Sequence, residues 1–259
     1  MESRLSDAIA AQHRRIDPGR WDAVYVIGDV HGCPDALDAL VDEAGIGDED
    51  LLVFVGDLVR KGPDSASVVT RVRAAENALS VRGNNEEKLL RGERTLPELD
   101  EADMEWLRSR PVAISWGPGS GYDAGLVVHG GVDPRMPLAA HTVDDLQTAR
   151  CLDPDGGYDG PFWYDSYEGP PRVFFGHTVL SDPLCSEWAV GLDTGYVYGG
   201  SLAGFPPRRG DGPPGRTGRA GGPAAPGEAV SPGALGGGST TGGGAARGRG
   251  ATRGPGARG

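Results

Sequence analysis

Short runs of β-branched and aliphatic residues recur through the first 205 residues, and five of them end abruptly in glycine beside Asp, Asn or His. Residues 23–27 (AVYVI) lead into Gly28-Asp29-Val30-His31-Gly32, and residues 51–55 (LLVFV) into Gly56-Asp57. Residues 79–82 lead into Gly83-Asn84-Asn85-Glu86, 125–128 into His129-Gly130-Gly131, and 172–175 into Gly176-His177-Thr178. A short apolar run bounded by glycine reads as a buried strand. Open α/β sheets gather their ligands beyond the ends of such strands. Asp29 and His31 stand two apart, so on an extended strand end they point the same way. The flanking glycines let backbone and ligand approach closely. Taken singly, an Asp after a strand reads as a turn or cap residue, and a His as a hydrogen-bonded structural one. Six metal-capable side chains at five strand ends (Asp29, His31, Asp57, Asn84, His129 and His177) read instead as one site.

Helical periodicity fills the gaps between the first runs. Leu37, Leu40, Val41 and Ala44 share one face of a helix over 34–44, and Pro34 suits its first turn. Helices are predicted over 64–75, 86–91 and 97–109, the last ended by Pro111. A short helix over 142–150 has Thr142 as N-cap and acids in its first turn. Further strands are predicted at 112–116, 125–129, 172–176, 188–192 and 196–203. Strand–helix–strand units followed by a more β-rich half predict an α/β or α+β layered domain over residues 1–205.

Composition changes abruptly after Phe205. Of the last 54 residues 19 are Gly and 8 are Pro, with no aromatic and no periodicity, so residues 206–259 are expected to be a disordered tail. The change of style favours an out-of-frame translation of a GC-rich gene over an inert linker or an RNA-touching arginine/glycine tail. That tail holds eight of the 25 basic residues and only Asp211 and Glu228 of the 37 acids, leaving 17 basic and 35 acidic side chains in 1–205. Only two of those basics are lysine, Lys61 and Lys88. An acidic, lysine-poor surface suits concentrated salt, a halophilic character, and repels nucleic-acid backbones. No apolar run reaches the roughly 18 residues of a membrane span, and no charged-then-apolar leader opens the chain, so a cytoplasmic location is expected. Cys33, Cys151 and Cys185 form neither a disulfide framework nor a CxxC metal pair.

The ordered series GDVHGC, GDLVRKGPDS, GNNEEKLL, VVHGGV, FFGHT and LDTGYVYGG resembles the calcineurin-like metallophosphoesterases. Within them it is most similar to the serine/threonine phosphoprotein phosphatases and their bacterial diadenosine-tetraphosphatase relatives. The resemblance spans residues 23 to about 205. It implies a two-sheet β sandwich flanked by helices. It implies two divalent metal ions, manganese foremost with iron or zinc as alternatives. Asp29, His31 and Asp57 would hold the first ion; Asp57, as a bridge, with Asn84, His129 and His177 would hold the second. Mixed oxygen and imidazole donors suit such ions, and a pair of them can clamp a phosphoryl group for attack by a bridging hydroxide. Asp193 and Thr194 would support the site through hydrogen bonds, and Cys33 would pack beside it.

The sequence departs from the family's pattern at one point. Where the family has the His that protonates the leaving oxygen, this chain has Asn85, and where it has that His's Asp partner, this chain has Arg60. Asn supplies no proton near neutral pH. The following Arg of the family is Lys61, a point charge rather than a bidentate fork. Asp57, Asn85 and Lys61 are thus the expected catalytic positions, and Arg60, Lys61, Arg82 and Arg150 the expected phosphate ligands. For Arg150 a surface salt bridge is the competing reading; for Arg60, exposure to solvent. Glu86 is expected to cap the helix after Asn84. His13 and His141 match no motif and read as surface or loop residues. Trp106, Trp163, Tyr164 and Tyr167 read as packing, with Trp163 and Tyr164 as candidates to stack on a base within a substrate-facing segment, 153–171.

The expected activity is hydrolysis of a phosphate monoester or phosphoanhydride. The substrate is either a phosphoprotein, as for a protein phosphatase, or a dinucleoside polyphosphate. The missing acid favours leaving groups that need little protonation. The alternative is a pseudo-phosphatase that binds a phosphorylated partner without efficient turnover.

Overall fold

A computed structural model describes residues 5–153, 155–207 and 219–221. The chain divides into a unit Met1–Pro226, which holds all of these, and a unit Gly227–Gly259, which lies outside them. In chain order the elements are α1 (Asp7–Ala10), β1 (His13–Arg15), β2 (Val24–Ile27), α2 (Pro34–Ala44), β3 (Leu51–Phe54) and α3 (Ser65–Ala74). There follow β4 (Ala78–Ser80), α4 (Asn84–Leu90), α5 (Glu101–Arg108), β5 (Ala113–Trp116), β6 (Gly125–Val127) and α6 (Val143–Thr148). The last are β7 (Arg172–Phe175), β8 (Leu184–Cys185), β9 (Ala189–Gly191), β10 (Ser201–Phe205) and β11 (Arg219–Gly221).

Two mixed sheets result, in the orders β11-β10-β2-β3-β4 and β1-β5-β6-β7-β9-β8. Strands β2, β3 and β4 are parallel, with β10 antiparallel to β2. In the other sheet β6, β7 and β9 run parallel. Strand alternation assigns side chains to layers. Val24 and Val26 of β2 and Val53 of β3 join Ile114, Trp116, Val127, Phe174 and Val190 of the other sheet in one buried cluster. This is the core between the sheets. Ile27 and Phe54 face the other way, onto Leu37 and Leu40 of α2 and Val68, Val69 and Val72 of α3. Leu126, Val173 and Phe175 likewise face outward, onto Ile9, Leu146 and Trp163. The fold is therefore the expected two-sheet sandwich flanked by helices.

Several boundaries differ from the sequence expectation. The strand predicted at 196–203 is a 3-10 turn, Tyr196–Tyr198, followed by β10. Gly195 and Gly199 at φ 67° and 89° turn the chain there, which an extended run forbids. Helix α5 starts at Glu101 rather than 97 because the Asp100 carboxylate caps it, accepting from the Asp103 N–H at 2.8 Å. Helix α4 starts two residues early, so Asn84 and Asn85 belong to its first turn. Strands β1 and β8 were not predicted; HRR and LC carry no apolar alternation. Most of the expected tail, 206–259, lies outside the described residues, but Arg219–Gly221 pairs antiparallel with β10 as β11. Among the described residues no helix is long and apolar enough to cross a membrane.

Candidate metal centre

The strand ends of both sheets converge. β2 and β3 are adjacent and parallel, so Asp29, His31 and Asp57 leave the same sheet edge. β4 runs parallel beside them and delivers Asn84 and Asn85 at the start of α4. From the other sheet β6 delivers His129, and its parallel neighbour β7 delivers His177. The loops are tied together by backbone: the His31 N–H donates to Asp57 O at 2.8 Å, and the Gly176 N–H to His129 O at 2.9 Å. The His177 N–H lies 3.3 Å from both Asp29 carboxylate oxygens. A Cβ on Gly176 would overlap Asp29 Oδ1, and one on Gly83 would overlap Asp57 Oδ1, so both positions exclude a side chain. Six non-glycine residues among those described have positive φ, and five of them, His31, Asp57, Arg60, Lys61 and His177, are candidate site residues. Such conformations cost about 1–3 kcal/mol each and persist where surrounding contacts impose them.

The side chains form a donor set that fits metal ions. One ligand atom each from buried Asp29, His31 and Asp57 lies within 4.8 Å of the others. His31 Nε2 is 3.8 Å from Asp29 Oδ2 and 3.8 Å from Asp57 Oδ2. His129 Nε2 is 3.3 Å from Asp57 Oδ1 and 3.2 Å from Asn84 Oδ1. Asp57 thus faces both groups, as a bridge must. The His129 and His177 rings pack edge to face at 5.2 Å. His31 Nδ1 lies 3.3 Å from Val59 O and His129 Nδ1 2.9 Å from Val55 O. Each Nδ1 thus has a carbonyl to bond, which leaves Nε2 for an ion, the usual arrangement behind a ligating histidine. Side-chain cations face two of the imidazole nitrogens, with Lys61 Nζ 2.8 Å from His31 Nε2 and Arg150 Nη2 3.1 Å from His177 Nε2, so an ion on either nitrogen would take the place of that contact.

Charge is distributed unevenly in the cluster. Burial pushes the Asp29 carboxyl well above its ordinary range, and the nearby Asp193 charge adds to this. Burial opposes ionisation of Asp57 as well, but His129, His31 and the Asn85 N–H together hold its carboxyl far below the ordinary range. Burial would lower His129, yet the Asp57 and Asp29 carboxylates raise it to about 10. His177 is held well below its usual value by burial and by the charges of His129 and Arg150. His31 is lowered by burial despite the pull of Asp57. The electrostatics thus favour charge on the His129–Asp57 pair and disfavour it on His31 and His177.

The remaining candidates divide. Asn85 is in the cluster: its N–H donates to Asp57 Oδ1 at 2.9 Å, its Nδ2 donates to Asp57 Oδ2, and its Oδ1 accepts from Arg60 Nη1. The positions of the missing acid pair are thus in direct contact as Asn and Arg. Arg150 reaches the cluster through His177 rather than forming a surface salt bridge. Arg82 does not face it. Its guanidinium bonds Arg108 O at 3.0 Å, Arg110 O at 2.9 Å, the Gln12 side chain and Glu87, an architectural role in place of the expected phosphate contact. Glu86 does more than cap α4. Its carboxylate accepts from the N–H groups of Gly83 at 2.7 Å, Asp57 at 2.9 Å and Val59 at 3.2 Å. Asp193 and Thr194 are buried and bond their own loop, through the Gly195 N–H and Ser201 O. Cys33 packs beside His31 as expected.

Other expectations are corrected by packing. His141 is buried, not on the surface, with Nε2 accepting from the Asp133 N–H at 2.8 Å. Trp163 turns inward, its Nε1–H donating to Gly130 O at 3.1 Å, and Tyr164 packs on Phe175. Neither offers a free face to a base. Tyr158 and Tyr198, unremarked in the sequence, are the exposed large hydrophobic side chains among the described residues. A cavity of about 700 Å³ lined by Val132, Met136, His141 and Tyr167 contains none of the candidate ligands.

Buried carboxylate, amide and imidazole donors at the strand ends of a two-sheet sandwich form a candidate metal centre, and the family match makes the chain a metal-dependent hydrolase of phosphoesters. The chain belongs to the calcineurin-like phosphoesterase family, whose sequence model matches residues 23–201. It is 30% identical to the asymmetrical bis(5'-nucleosyl)-tetraphosphatase PrpE of Bacillus subtilis, over 71% of this chain and 90% of that protein. It is 35% identical to the symmetrical bis(5'-nucleosyl)-tetraphosphatase of Acidovorax sp. JS42, over 70% of this chain and 90% of that one. A crystal structure described as a candidate diadenosine tetraphosphatase superposes with a TM-score of 0.66 at 29% identity, covering 75% of this chain and 92% of that chain.

Proposed function

We propose that this chain hydrolyses a phosphoanhydride bond of a dinucleoside polyphosphate with two divalent ions, manganese first among them. Asp29, His31 and Asp57 would hold one ion, and Asp57, Asn84, His129 and His177 the other. Bound there, the ions supply Lewis-acid polarisation of the phosphoryl group and lower the pKa of water toward neutrality. The contact between Arg60 Nη1 and Asn85 Oδ1 carries the choice of substrate. A serine phosphate leaves as a strongly basic alkoxide and needs a proton from a general acid. Asn85 has none to give and Arg60 does not release one. A nucleoside phosphate leaves as a stable anion, and a fixed guanidinium beside it suffices as a counter-charge. Lys61 and Arg150, both at the cluster, supply further positive charge for a chain of phosphates. The names of the relatives agree with this reading. The acidic, lysine-poor body suits a salt-rich cytoplasm.

The test is turnover by the full chain in Mn²⁺ and high salt, with Asp57→Asn as the blank, read as mononucleotides separated by chromatography for a dinucleoside tetraphosphate and as released phosphate for an aryl phosphate and a phosphoserine peptide. A dinucleoside tetraphosphate and an aryl phosphate should both exceed the blank, and a phosphoserine peptide should not. Equal turnover of the peptide would mean that another group donates the proton and would favour a protein phosphatase. Two bound ions per chain with no turnover above the blank would make the protein a phosphate-binding pseudo-enzyme, the reading that the absent acid pair otherwise supports.

A further inference from the structure

Tyr158 and Tyr198, the two exposed large hydrophobic side chains among the described residues, are 49% and 51% exposed. Isolated exposed tyrosines need no explanation, but each of these carries a cation that touches a different histidine of the metal centre. The Arg150 guanidinium stacks 4.3 Å over the Tyr158 ring while its Nη2 reaches His177. Lys61 Nζ lies 5.4 Å from the Tyr198 ring centroid and reaches His31. His31 belongs with Asp29 and Asp57, whereas His177 packs on His129, so the two cations reach different histidines of the cluster, while the tyrosines themselves lie on either side of Val179. Both rings are held in place despite their exposure. The Val179 N–H donates to Tyr158 Oη at 3.4 Å, and Tyr198 closes the tight turn between Gly195 and Gly199 with its N–H on Gly195 O at 2.8 Å. Arg150 Nε is buried without a hydrogen-bond partner, a donor left for a ligand.

We infer that Tyr158 with Arg150, and Tyr198 with Lys61, are two nucleoside-binding arms, each ring stacking on one base and each cation holding the phosphates that join it to the metal centre. The inference rests on the proposed reaction and assigns the recognition of both ends of its substrate. A ring half open to solvent offers one face to a base, and stacking is indifferent to base identity. Arg150 on the other face of Tyr158, and Lys61 bonded to the Tyr198 hydroxyl, raise the local positive charge where the phosphate chain begins. A monoester of a protein side chain would engage neither ring in this way.

The experiment measures, by calorimetry on the Mn²⁺-loaded full chain, the affinity for a methylene-bridged dinucleoside tetraphosphate and for inorganic tripolyphosphate, a shorter phosphate chain of similar net charge with no base. Tyr158→Ala and Tyr198→Ala should each weaken the dinucleotide analogue roughly 5- to 100-fold, the loss expected for one base stack, and tripolyphosphate far less. Tyr158→Trp and Tyr198→Trp should retain dinucleotide affinity. Equal weakening of both ligands, an unchanged dinucleotide affinity, or a wild-type chain that binds the dinucleotide no more tightly than tripolyphosphate would overturn the inference. Tyrosine-dependent binding without hydrolysis of the unmodified tetraphosphate would instead overturn the proposed reaction and leave the two arms standing.

Discussion

Arg60 and Asn85 touch each other at the edge of the donor set, and Asn85 in turn donates to both oxygens of Asp57. At the two positions where the resemblance implies a proton donor and its carboxylate, this chain holds an amide and a cation in contact. Restoring the acid pair tests the consequence. The double variant Asn85→His/Arg60→Asp should raise kcat/KM on an alkyl phosphate by about 100-fold, the low end of a general acid's contribution, and change that on a dinucleoside tetraphosphate much less. A second residue-scale prediction concerns protons. His129, raised to about 10, carries a proton at neutral pH, and an ion on its Nε2 must displace it. Metal binding at pH 7 should release at least that proton, so affinity should rise by about tenfold per pH unit for each proton released. Titrations in buffers of different ionisation enthalpy would count the protons. The sign for stability is the reverse. A raised histidine pKa stabilises the metal-free fold fully below its ordinary value of 6.5, and this contribution fades as pH rises through about 10.

Elements set where these residues can stand. Parallel β2, β3 and β4 bring three loops to one edge, but the loops would be free to splay without a common tie. Glu86, in the first turn of α4, ties the loops after β3 and β4, since one buried carboxylate takes the N–H groups of Gly83, Asp57 and Val59, while the His31 N–H to Asp57 O bond holds the loop after β2 to them. Burial and the Asp57 charge push it up to about 7, against the pull of those N–H groups. Glu86→Ala would orphan three buried donors. It should cost roughly 3–5 kcal/mol of stability by urea unfolding, and lower metal affinity by about 10–100-fold. A variant that lost stability alone and kept its metal affinity would mean that the loops are held by their own backbone bonds.

The described residues form two sheets with helices outside, and the full sequence carries a net charge of -12. Self-repulsion of that order weakens the compact state, and added salt screens it. The melting temperature should climb by at least about 5 °C between about 0.1 M and about 2 M KCl; a flat response would count against a halophilic character. The end of the chain gives a separate prediction. β10 lies between β2 and β11, with Phe205 buried against the central core. A chain ending at Phe205 would expose the β10 edge and should melt about 2–4 °C lower than one ending at Pro226, for about 1 kcal/mol of lost pairing.

The residues of the candidate centre are legible in the sequence because each follows a short apolar run at a glycine, and both signals are local. Helix α2 is legible for the same reason, since Pro34, its apolar face and Gly45 lie within one segment. The polar strand β1 escapes such reading, because pairing with β5 and not periodicity makes it a strand. The direction of each cation is not local either. Arg82 stands two residues before the candidate ligand Asn84, yet bonds to Gln12 and to the Arg108 and Arg110 carbonyls at the end of α5 turn it away, while Arg150, with no motif around it, reaches His177. Trp163 and Tyr158 share one aromatic segment, and only packing against Gly130 and Phe175 sends the first inward and leaves the second outside. Sequence by itself determined the strand ends and the donors they carry, which short-range backbone chemistry dictates. The tertiary structure alone decided which side chains turn toward those donors, because that choice is made by contacts between residues far apart in the chain.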